Sequence, residues 1–447
     1  MRTLLSVLIG TLLCLGAVSP VTAQPVSVAS PEEQAAIMSR VMEHRFETLL
    51  PTLMARAEID MWIVMAREYN EDPVMRTMLP PTWLSARRTT MLVMARRADG
   101  GVDRLAVARY NVGTFFEKAW DPESQPDQFA RLAEVIADYD PERIGINVSD
   151  DYGHADGLVH TLREDFLAAL PARYQRRLVS AEALAVGWLE TRTEPEIAIY
   201  QLVSRLAHHI VEEGLSEKVI VPGQTTTDDV VWWYRNRVQS LGLETWFHPS
   251  VDVQRAAQPD TVGQDFSSRQ GADVIMPGDL VHMDFGIRYL GLHTDTQRNA
   301  YVLRPGETEA PEDLRAALAQ GNRLQDILTS HMIAGRTGNE ILRLSLEQAR
   351  SEGLRPSIYT HPIGLHGHAS GPTIGMWDKQ GGVPGTGDYP LYPNTAYAIE
   401  LNVTVSVPAW NNQDVRIMLE ENALFDGSQV RYIDGRRTDL LLIPRVN

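Results

Sequence analysis

The sequence predicts two domains: an α/β domain over residues 24–187, followed by a larger α+β domain over residues 188–447. In the first part, short apolar runs alternate with segments of helical periodicity, as expected for strands and helices in layers. In the second part, amphipathic helices separate strands of period-two alternation, which indicates a mainly antiparallel arrangement. The 447 residues are 44% apolar and 22% charged, an ordinary globular composition and enough chain for two domains.

Residues 1–23 have the pattern of a secretory signal peptide. Arg2 precedes an apolar run from Leu4 to Val18, and a small residue, Ala23, ends the segment. A membrane anchor is one alternative, but the run is shorter than the roughly 18 residues expected of a spanning helix. Lipidation at Cys14 is another, although the residue before it is larger than a lipid-attachment signal requires. We expect cleavage after Ala23 and a secreted or periplasmic protein with no stable membrane anchor.

Cysteine content and charge limit the chemistry of the mature chain. Cys14 is the only cysteine, so cleavage after Ala23 leaves no disulfide and no thiolate. A metal ion would then be bound by carboxylate, imidazole or carbonyl groups. The formal net charge is −17, and loss of Arg2 makes it −18. Such an acidic protein is poorly suited to bind nucleic acid or an anionic membrane.

The N-terminal domain begins with a segment of helical periodicity, Glu43–Ala57. Four short apolar runs then suit strands of a sheet: Met61–Met65, Thr90–Met94, Arg104–Arg109 and Ile144–Val148. Residues Asp121–Pro126 form a loop between them. We identify no catalytic or metal-binding motif in this domain.

The C-terminal domain begins near residues 188–195. Thr193–Glu196 predicts a helix that runs to Gly214, with proline and acidic residues in its first turn. Thr227 begins a second helix that extends through Val238. A third helix, or a pair of helices, covers Pro311–Gly353 and is broken near Gly335 and Gly338.

Two aspartates mark a predicted β-hairpin. Residues 279–286 alternate, with Val281, Met283 and Phe285 on one face and His282 and Asp284 on the other. The second strand begins at Asp295 and runs through Val302. A hairpin that turns at Tyr289-Leu290 places Asp284 directly opposite Asp295. Two opposed carboxylates repel each other unless a cation separates them, either a divalent metal ion or a basic side chain such as Arg298.

Histidines and two glutamates complete the candidate site. The segment Tyr359–His368 is too rich in proline and glycine to be helical, and it contains His361, His366 and His368. Three histidines on one short loop favour a metal or catalytic role, whereas a lone histidine is more often structural.

The last two candidate residues lie on alternating strands. Ala396–Val407 contains a single charged residue, Glu400, and Val415–Leu419 leads into Glu420 on the same face as Arg416. Taken singly, each glutamate has a simpler explanation as a solvated strand residue.

Taken in order, these motifs resemble those of the pita-bread metallopeptidases. This family includes methionine aminopeptidase, aminopeptidase P and prolidase, together with the metal-free creatinase. The resemblance covers about residues 189–429. Gly278–Gly286 is similar to the family's first ligand strand, and Asp295–Arg298 to its second. His361, followed by Gly364 and His368, is similar to the histidine motif; Glu400 and Glu420 match the two glutamates. Creatinase-like members lack this complete set.

The resemblance implies a pita-bread domain preceded by a smaller, creatinase-type α/β domain. It also implies five metal ligands: Asp284, Asp295, His361, Glu400 and Glu420. These would bind two divalent ions, manganese or zinc above all, with cobalt or iron also compatible with the ligand types. A hydroxide bridging the two ions would attack the scissile carbonyl, Glu400 would transfer a proton, and His368 would stabilise the tetrahedral intermediate.

Other residues near these motifs are further candidates for the site. Three are possible additional members of the site: His293, His366 and Arg416. Glu421 is a rival to Glu420 as the last ligand, although strand parity with Arg416 favours Glu420.

The expected activity follows from the same resemblance. An exported chain with a separate N-terminal domain is similar to aminopeptidase P or prolidase, so we expect a small peptide substrate cleaved before proline, and a homodimer is possible. Architecture alone is a weak guide to specificity. Three alternatives remain: a metal-dependent lyase, a hydrolase of non-peptide amides, and a non-catalytic periplasmic binding protein. A failure to cleave Xaa-Pro peptides would favour the first two, whereas unused carboxylate clusters argue against the third.

Overall fold

The computed structural model describes residues 28–257 and 273–445, so the predicted signal peptide lies outside the described residues. Within these two ranges, no helix is both long enough and apolar enough to cross a membrane.

The N-terminal domain is built around one six-stranded mixed sheet. Its elements are α1 (Pro31–His44), α2 (Leu50–Arg56), β1 (Met61–Arg67), α3 (Pro73–Arg76), β2 (Thr89–Arg96), β3 (Val102–Val107), β4 (Glu117–Lys118), α4 (Gln128–Tyr139), β5 (Ile144–Ile146), α5 (His160–Ala169), α6 (Ala172–Gln175), β6 (Leu178–Ser180) and α7 (Glu182–Glu190). The strand order is β4-β3-β2-β1-β5-β6, with β1 antiparallel to β2 and parallel to β5. The four predicted strands are confirmed.

The first predicted helix is longer than its periodicity indicated. Residues 43–56 fall within a continuous helical stretch that starts at Pro31, where Ser30 forms a capping box with Glu33. A π-helical turn, Arg45–Leu49, separates α1 from α2. It places Arg45 in the interior, where its guanidinium binds Glu196 at 2.6 Å. The ion pair between Arg45 and Glu196 therefore connects the N-terminal helices to the first helix of the C-terminal domain.

The C-terminal domain contains four long helices and several small sheets. Its elements are α8 (Glu194–Gly214), α9 (Thr227–Ser240), β7 (Ser250–Gln254), β8 (Leu280–Phe285), β9 (Arg288–Tyr289), β10 (Leu292–His293), β11 (Thr296–Val302), α10 (Glu312–His331), α11 (Gly338–Ser351), β12 (Pro356–Ile358), β13 (His361–Pro362), β14 (Thr395–Ala398), β15 (Leu401–Val407), β16 (Gln413–Leu419), β17 (Asn422–Phe425), β18 (Val430–Tyr432) and β19 (Leu441–Ile443). Capping boxes at Thr193, Thr226 and Thr337 begin α8, α9 and α11. The predicted pair of helices after Pro311 is confirmed.

Each pair of helices covers one side of the sheets. The strands are ordered β19-β11-β8-β7, β12-β15-β16 and β13-β14-β17-β18. Helices α8 and α9 pack with Val281, Met283 and Phe285 in one core, so the predicted apolar face of β8 is confirmed. Helices α10 and α11 pack with β15 and β16 in a second core. The polar faces of the strands are left to face one another in the middle of the domain.

The predicted pairing of Asp284 with Asp295 is wrong. The turn falls at Leu290-Gly291, whose φ angles of 52° and 79° are those of a type I′ hairpin turn. Moving the turn by one residue moves the pairing by two, so Asp284 lies opposite Gln297 instead. Two residues is one full side-chain period, so the two aspartates still share a face of the hairpin.

The predicted continuous strand Ala396–Val407 is also interrupted. It breaks at Ile399–Glu400 into β14 and β15, which belong to different sheets. Glu420 lies at the corresponding break between β16 and β17. Both glutamates therefore stand where the chain passes from one sheet to the next, and their side chains reach the region between the sheets.

Candidate metal centre

Six of the predicted site residues come together between the sheets. Their potential ligand atoms form three groups, within each of which the atoms lie within 4.8 Å of one another: Asp284, Asp295 and Glu420; His361, Glu400 and Glu420; and Asp295, His361 and His368. Asp295 and Glu420 each occur in two groups and so link Asp284 to His361. Sites of this composition, carboxylates with an imidazole, suit divalent cations.

The backbone around Asp295 is held by a neighbouring strand. The Asn422 side chain accepts a hydrogen bond from the Asp295 N–H at 3.1 Å and donates one to its carbonyl oxygen at 2.8 Å. Because Asn422 begins β17 directly after the Glu420-Glu421 pair, this contact ties the second aspartate to the last glutamate. The relative position of the two side chains is thus set by β-strand geometry rather than by a loop.

The carboxylates of the cluster are protonated more readily than ordinary acids. Burial raises the pKa of Asp284 to about 6. Burial, followed by repulsion from Glu420, Asp284 and Glu400, raises the pKa of Asp295 well above its usual value. The pKa values of Glu400 and Glu420 are raised in the same way. Four acids so close together are unfavourable without a compensating positive charge.

The hydrogen bonding of His361 fits a metal ion between these side chains. Its Nδ1 lies 3.0 Å from the Pro362 carbonyl oxygen, which can only accept, so Nδ1 carries the proton. Burial lowers the pKa of His361 to about 4, so the ring is neutral near pH 7 and Nε2 carries a lone pair. That lone pair faces carboxylate oxygens of Glu420 at 3.5 Å and of Asp295 at 3.7 Å. A cation between the lone pair and these carboxylates would make this arrangement favourable.

Several buried polar atoms of the cluster lack a hydrogen-bond partner. Among the described residues, four atoms of the site have no hydrogen-bond partner: Asp284 Oδ1, Asp295 Oδ1, His361 Nε2 and Glu420 Oε1. Buried polar atoms are normally paired, and an orphan group costs about 1–3 kcal/mol. Metal coordination is the interaction that would satisfy all four at once. The residues present therefore fit a metal centre.

A cavity of about 270 Å³ opens above the carboxylates. Aromatic and apolar side chains form much of its wall: Trp246, Phe247, Tyr359, Trp377, Leu401 and Met418. Trp246 is wedged between Gly286 and Gly367, where an added Cβ would lie 2.3 and 2.4 Å from its ring. Its ring also contacts His368, with ring centroids 5.2 Å apart. The cavity thus combines a charged floor with apolar walls.

The additional candidates lie outside this cavity or at its margin. His366 stacks on His154 of the N-terminal domain, with ring centroids 4.4 Å apart. His293 is bonded to the Gly364 carbonyl through its backbone N–H at 2.8 Å. Both line a second cavity between the two domains. Arg416 is not among the described residues that line the carboxylate cavity, whereas Met418, two residues later on β16, is.

The side chains of Glu420 and Glu421, the two candidates for the last ligand, point to different places. Glu420 points into the cluster, whereas Glu421 binds His208 Nε2 at 3.0 Å and lies 3.8 Å from Arg298. Arg298, proposed as an alternative counter-charge for the two aspartates, is therefore directed to Glu421. Sequence reasoning missed Gln297, Trp246 and His154 as neighbours of the site. Of these, only Gln297 could have been suspected, because it lies two residues after Asp295 on a polar strand face.

Residues 199–429 match the family model described as metallopeptidase family M24, which is slightly more than half of the chain. This range contains all five candidate ligands. The chain belongs to metallopeptidase family M24. It is therefore a metallopeptidase, and its C-terminal half has the pita-bread fold, preceded by a smaller α/β domain.

Solved structures of this family have a similar overall fold. The X-Pro aminopeptidase of Thermotoga maritima is 17% identical, with a TM-score of 0.61 over 86% of this chain and 98% of that chain. The Xaa-Pro dipeptidase of Bacillus anthracis is 16% identical, with a TM-score of 0.57 over 92% and 100%. A histidine-to-alanine variant of Escherichia coli aminopeptidase P is 12% identical, with a TM-score of 0.56 over 92% and 96%. No curated protein sequence matches the chain.

Proposed function

We propose that this protein is an exported peptidase that uses two divalent metal ions to cleave the bond preceding proline at the N-terminus of peptides. The observation that carries the proposal is the convergence of four carboxylates at the floor of an aromatic-walled cavity, with the neutral imidazole of His361 grouped beside them. The family is metallopeptidase, and three structurally similar proteins are named for action on Xaa-Pro substrates or as aminopeptidase P. The pattern of residues 1–23 supports export.

Two overlapping sets of ligands would hold the two ions. Asp284 belongs to one set and His361 to the other, and Asp295 and Glu420 lie within reach of both. Asp295 and Glu420 would therefore bridge the pair. Glu400 would complete the shell on the His361 side, since it shares a group with His361 and Glu420.

Two bound ions supply a Lewis-acidic site that activates water for attack on an amide carbonyl near neutral pH. Glu400 lies at the floor of the cavity, where its carboxylate would take up a proton and deliver it to the leaving amine. His368 is the exposed member of its group, and its ring contacts His361 with centroids 4.7 Å apart. From there it would donate a hydrogen bond to the developing oxyanion of the substrate.

Hydrolysis of defined peptides tests the proposal. Metal-free mature protein is offered Xaa-Pro dipeptides, longer Xaa-Pro peptides and matched Xaa-Ala peptides, with and without manganese or zinc. We expect cleavage before proline only when metal is added. A preference for longer peptides would identify an aminopeptidase, and a preference for dipeptides a prolidase. Metal binding without cleavage of any Xaa-Pro peptide would refute the proposed substrate class but not the proposed metal centre.

The wall formed by Trp246 gives a second prediction. Gly367→Ala would place a Cβ 2.4 Å from the Trp246 ring, so the ring or the Gly367 backbone must shift, and the contact of the ring with His368 changes. Overpacking of this kind costs about 1–3 kcal/mol, and we expect a raised KM together with a lower melting temperature. Gly381→Ala is the matched control, because no atom lies within 4 Å of its added Cβ. An unchanged KM for Gly367→Ala would show that Trp246 does not shape the substrate site.

A further inference from the structure

A chain of polar side chains runs beneath the proposed metal centre. The Gln297 Nε2 group donates to Glu400 Oε1 at 2.8 Å and to Glu420 Oε2 at 3.1 Å. On its other side, Gln297 Oε1 lies 3.0 Å from His282 Nε2. His282 Nδ1 in turn lies 3.6 Å from Asp252 Oδ2. Three strands, β7, β8 and β11, thus contribute to one chain that ends on two of the candidate ligands.

The amide of Gln297 is suited to hold two carboxylates that repel each other. A primary amide has two protons on one nitrogen, so it can donate to two acceptors at the same time. Here one proton points to each glutamate, and both bonds are of the charge-assisted kind. Each bond occupies one oxygen of its glutamate and leaves the second oxygen available. For Glu420 the remaining atom is Oε1, which faces His361 Nε2 at 3.5 Å.

The backbone of Gln297 is fixed to the same strands. It lies directly opposite Asp284 in the β8–β11 pairing. Its N–H donates to the Glu420 carbonyl oxygen at 3.2 Å. Gln297 therefore contacts three candidate ligands, Asp284 and Glu420 through strand pairing and Glu400 and Glu420 through its amide.

The two glutamates determine which way this amide points, and His282 is the partner of its oxygen. Because Gln297 Nε2 donates to the two glutamates, its Oε1 must accept, and His282 Nε2 therefore carries a proton. The reversed amide would place a carbonyl oxygen against two carboxylates and an N–H group against the Nε2–H of His282. Both contacts would be repulsive. The two carboxylates thus select one orientation, and His282 completes it by donating to the amide oxygen.

We propose that Gln297 is the positioning residue of the metal centre, and that His282 acts through it by hydrogen-bonding its amide oxygen. This inference rests on the proposed metal-dependent function. Gln297 binds one oxygen of Glu400 and one of Glu420, and the second oxygen of each would remain to bind an ion. Groups that orient ligands in this way typically contribute about 10–100-fold to metal affinity.

Titration of metal-free protein with manganese or zinc, followed calorimetrically, tests this inference. Gln297→Met keeps the length of the side chain and removes both donors, and we expect affinity to fall about 10–100-fold. His282→Leu is expected to weaken binding by a smaller factor. Because His282 acts through Gln297, the double variant should bind no more weakly than Gln297→Met alone, whereas independent effects would multiply.

Asn299→Leu is the matched control. Asn299 is a buried amide on the same strand, two residues from Gln297, and it donates to the Met418 carbonyl oxygen at 2.7 Å rather than to a carboxylate. We expect a lower melting temperature with metal affinity unchanged. A Gln297→Met variant that loses stability but keeps wild-type affinity would overturn the positioning role. Failure of the wild-type protein to bind either ion would instead refute the metal centre itself, and the inference with it.

Discussion

Asp295→Asn is expected to abolish metal-dependent activity while stabilising the metal-free protein. Asp295 lies within reach of both proposed ion positions, so its loss should lower kcat/KM at least about a thousandfold, equivalent to about 4 kcal/mol. The stability effect has the opposite sign. Burial and three neighbouring carboxylates raise the pKa of Asp295 in the folded chain, so its ionised form is less favourable in the folded chain than in the unfolded one. Asparagine removes that cost.

The size of the stabilisation by Asp295→Asn depends on pH. An acid whose folded-state pKa is raised contributes stability that is present below the unfolded value, about 4, and lost as pH rises through the folded value. The stabilisation by Asp295→Asn should therefore be larger at pH 8 than at pH 5. Thermal unfolding of both metal-free proteins measures it, with about 1 kcal/mol giving about 2–4 °C for domains of this size.

Asp279→Asn provides a control of the opposite kind. Asp279 is also buried, but Arg255 binds both of its oxygens at 2.6 Å. Removing its charge leaves a basic partner unpaired, so we expect lower stability and an intact response to metal. If Asp295→Asn destabilised the metal-free protein as Asp279→Asn does, the carboxylate cluster would not be under electrostatic strain. If it retained full activity, the proposed mechanism would be refuted.

The fold was predictable from the sequence where side-chain period alone decides the structure. The apolar face of β8 and the helices after Pro311 follow from periodicity. The register of the β8–β11 hairpin does not follow from periodicity, because moving the turn by one residue changes which residues pair. Gly291 in a left-handed conformation shifts the turn to Leu290-Gly291, and Asp284 meets Gln297 in consequence. The parity of the strands was preserved by this shift, and with it the face on which the aspartates lie.

The candidate ligands were predictable because their order along the chain is distinctive, whereas the surrounding residues were not. Trp246 and His154 reach the site from distant segments of the chain, and no local pattern marks them. Gln297 takes its importance from two glutamates more than a hundred residues later. The break of the strand at Glu400 has the same origin, since it arises where two sheets meet rather than from the residues of the strand itself.

Metal binding is expected to release protons and to become tighter as pH rises. In the metal-free protein, burial and mutual repulsion raise the pKa values of Asp295, Glu400 and Glu420 well above their usual range, so these acids hold protons to a higher pH than exposed carboxyl groups do. A cation must displace these protons in order to bind. His361 contributes none, because burial lowers its pKa to about 4 and its ring is already neutral.

The expected size follows from linkage. Each proton released raises the apparent affinity about tenfold for each pH unit. Because the acids interact strongly, the protons belong to the cluster as a whole rather than to one residue. Calorimetric titration with manganese or zinc at pH 7, repeated in buffers of different ionisation enthalpy, gives the number released. We expect at least one proton, and the same number for Asp279→Asn, whose carboxyl group lies outside the cluster.

Binding without proton release, and with an affinity independent of pH, would mean that the metal-free cluster is fully ionised. Four ionised carboxylates within a few ångströms would then repel one another strongly in the metal-free protein. The expected stabilisation by Asp295→Asn and the expected release of protons on metal binding have the same cause, which is the repulsion among the buried carboxylates. The repulsion that destabilises the metal-free fold is relieved when a cation binds, so the same four side chains that weaken folding strengthen binding. A variant that makes the metal-free protein more stable by removing one of these charges should therefore bind metal less tightly.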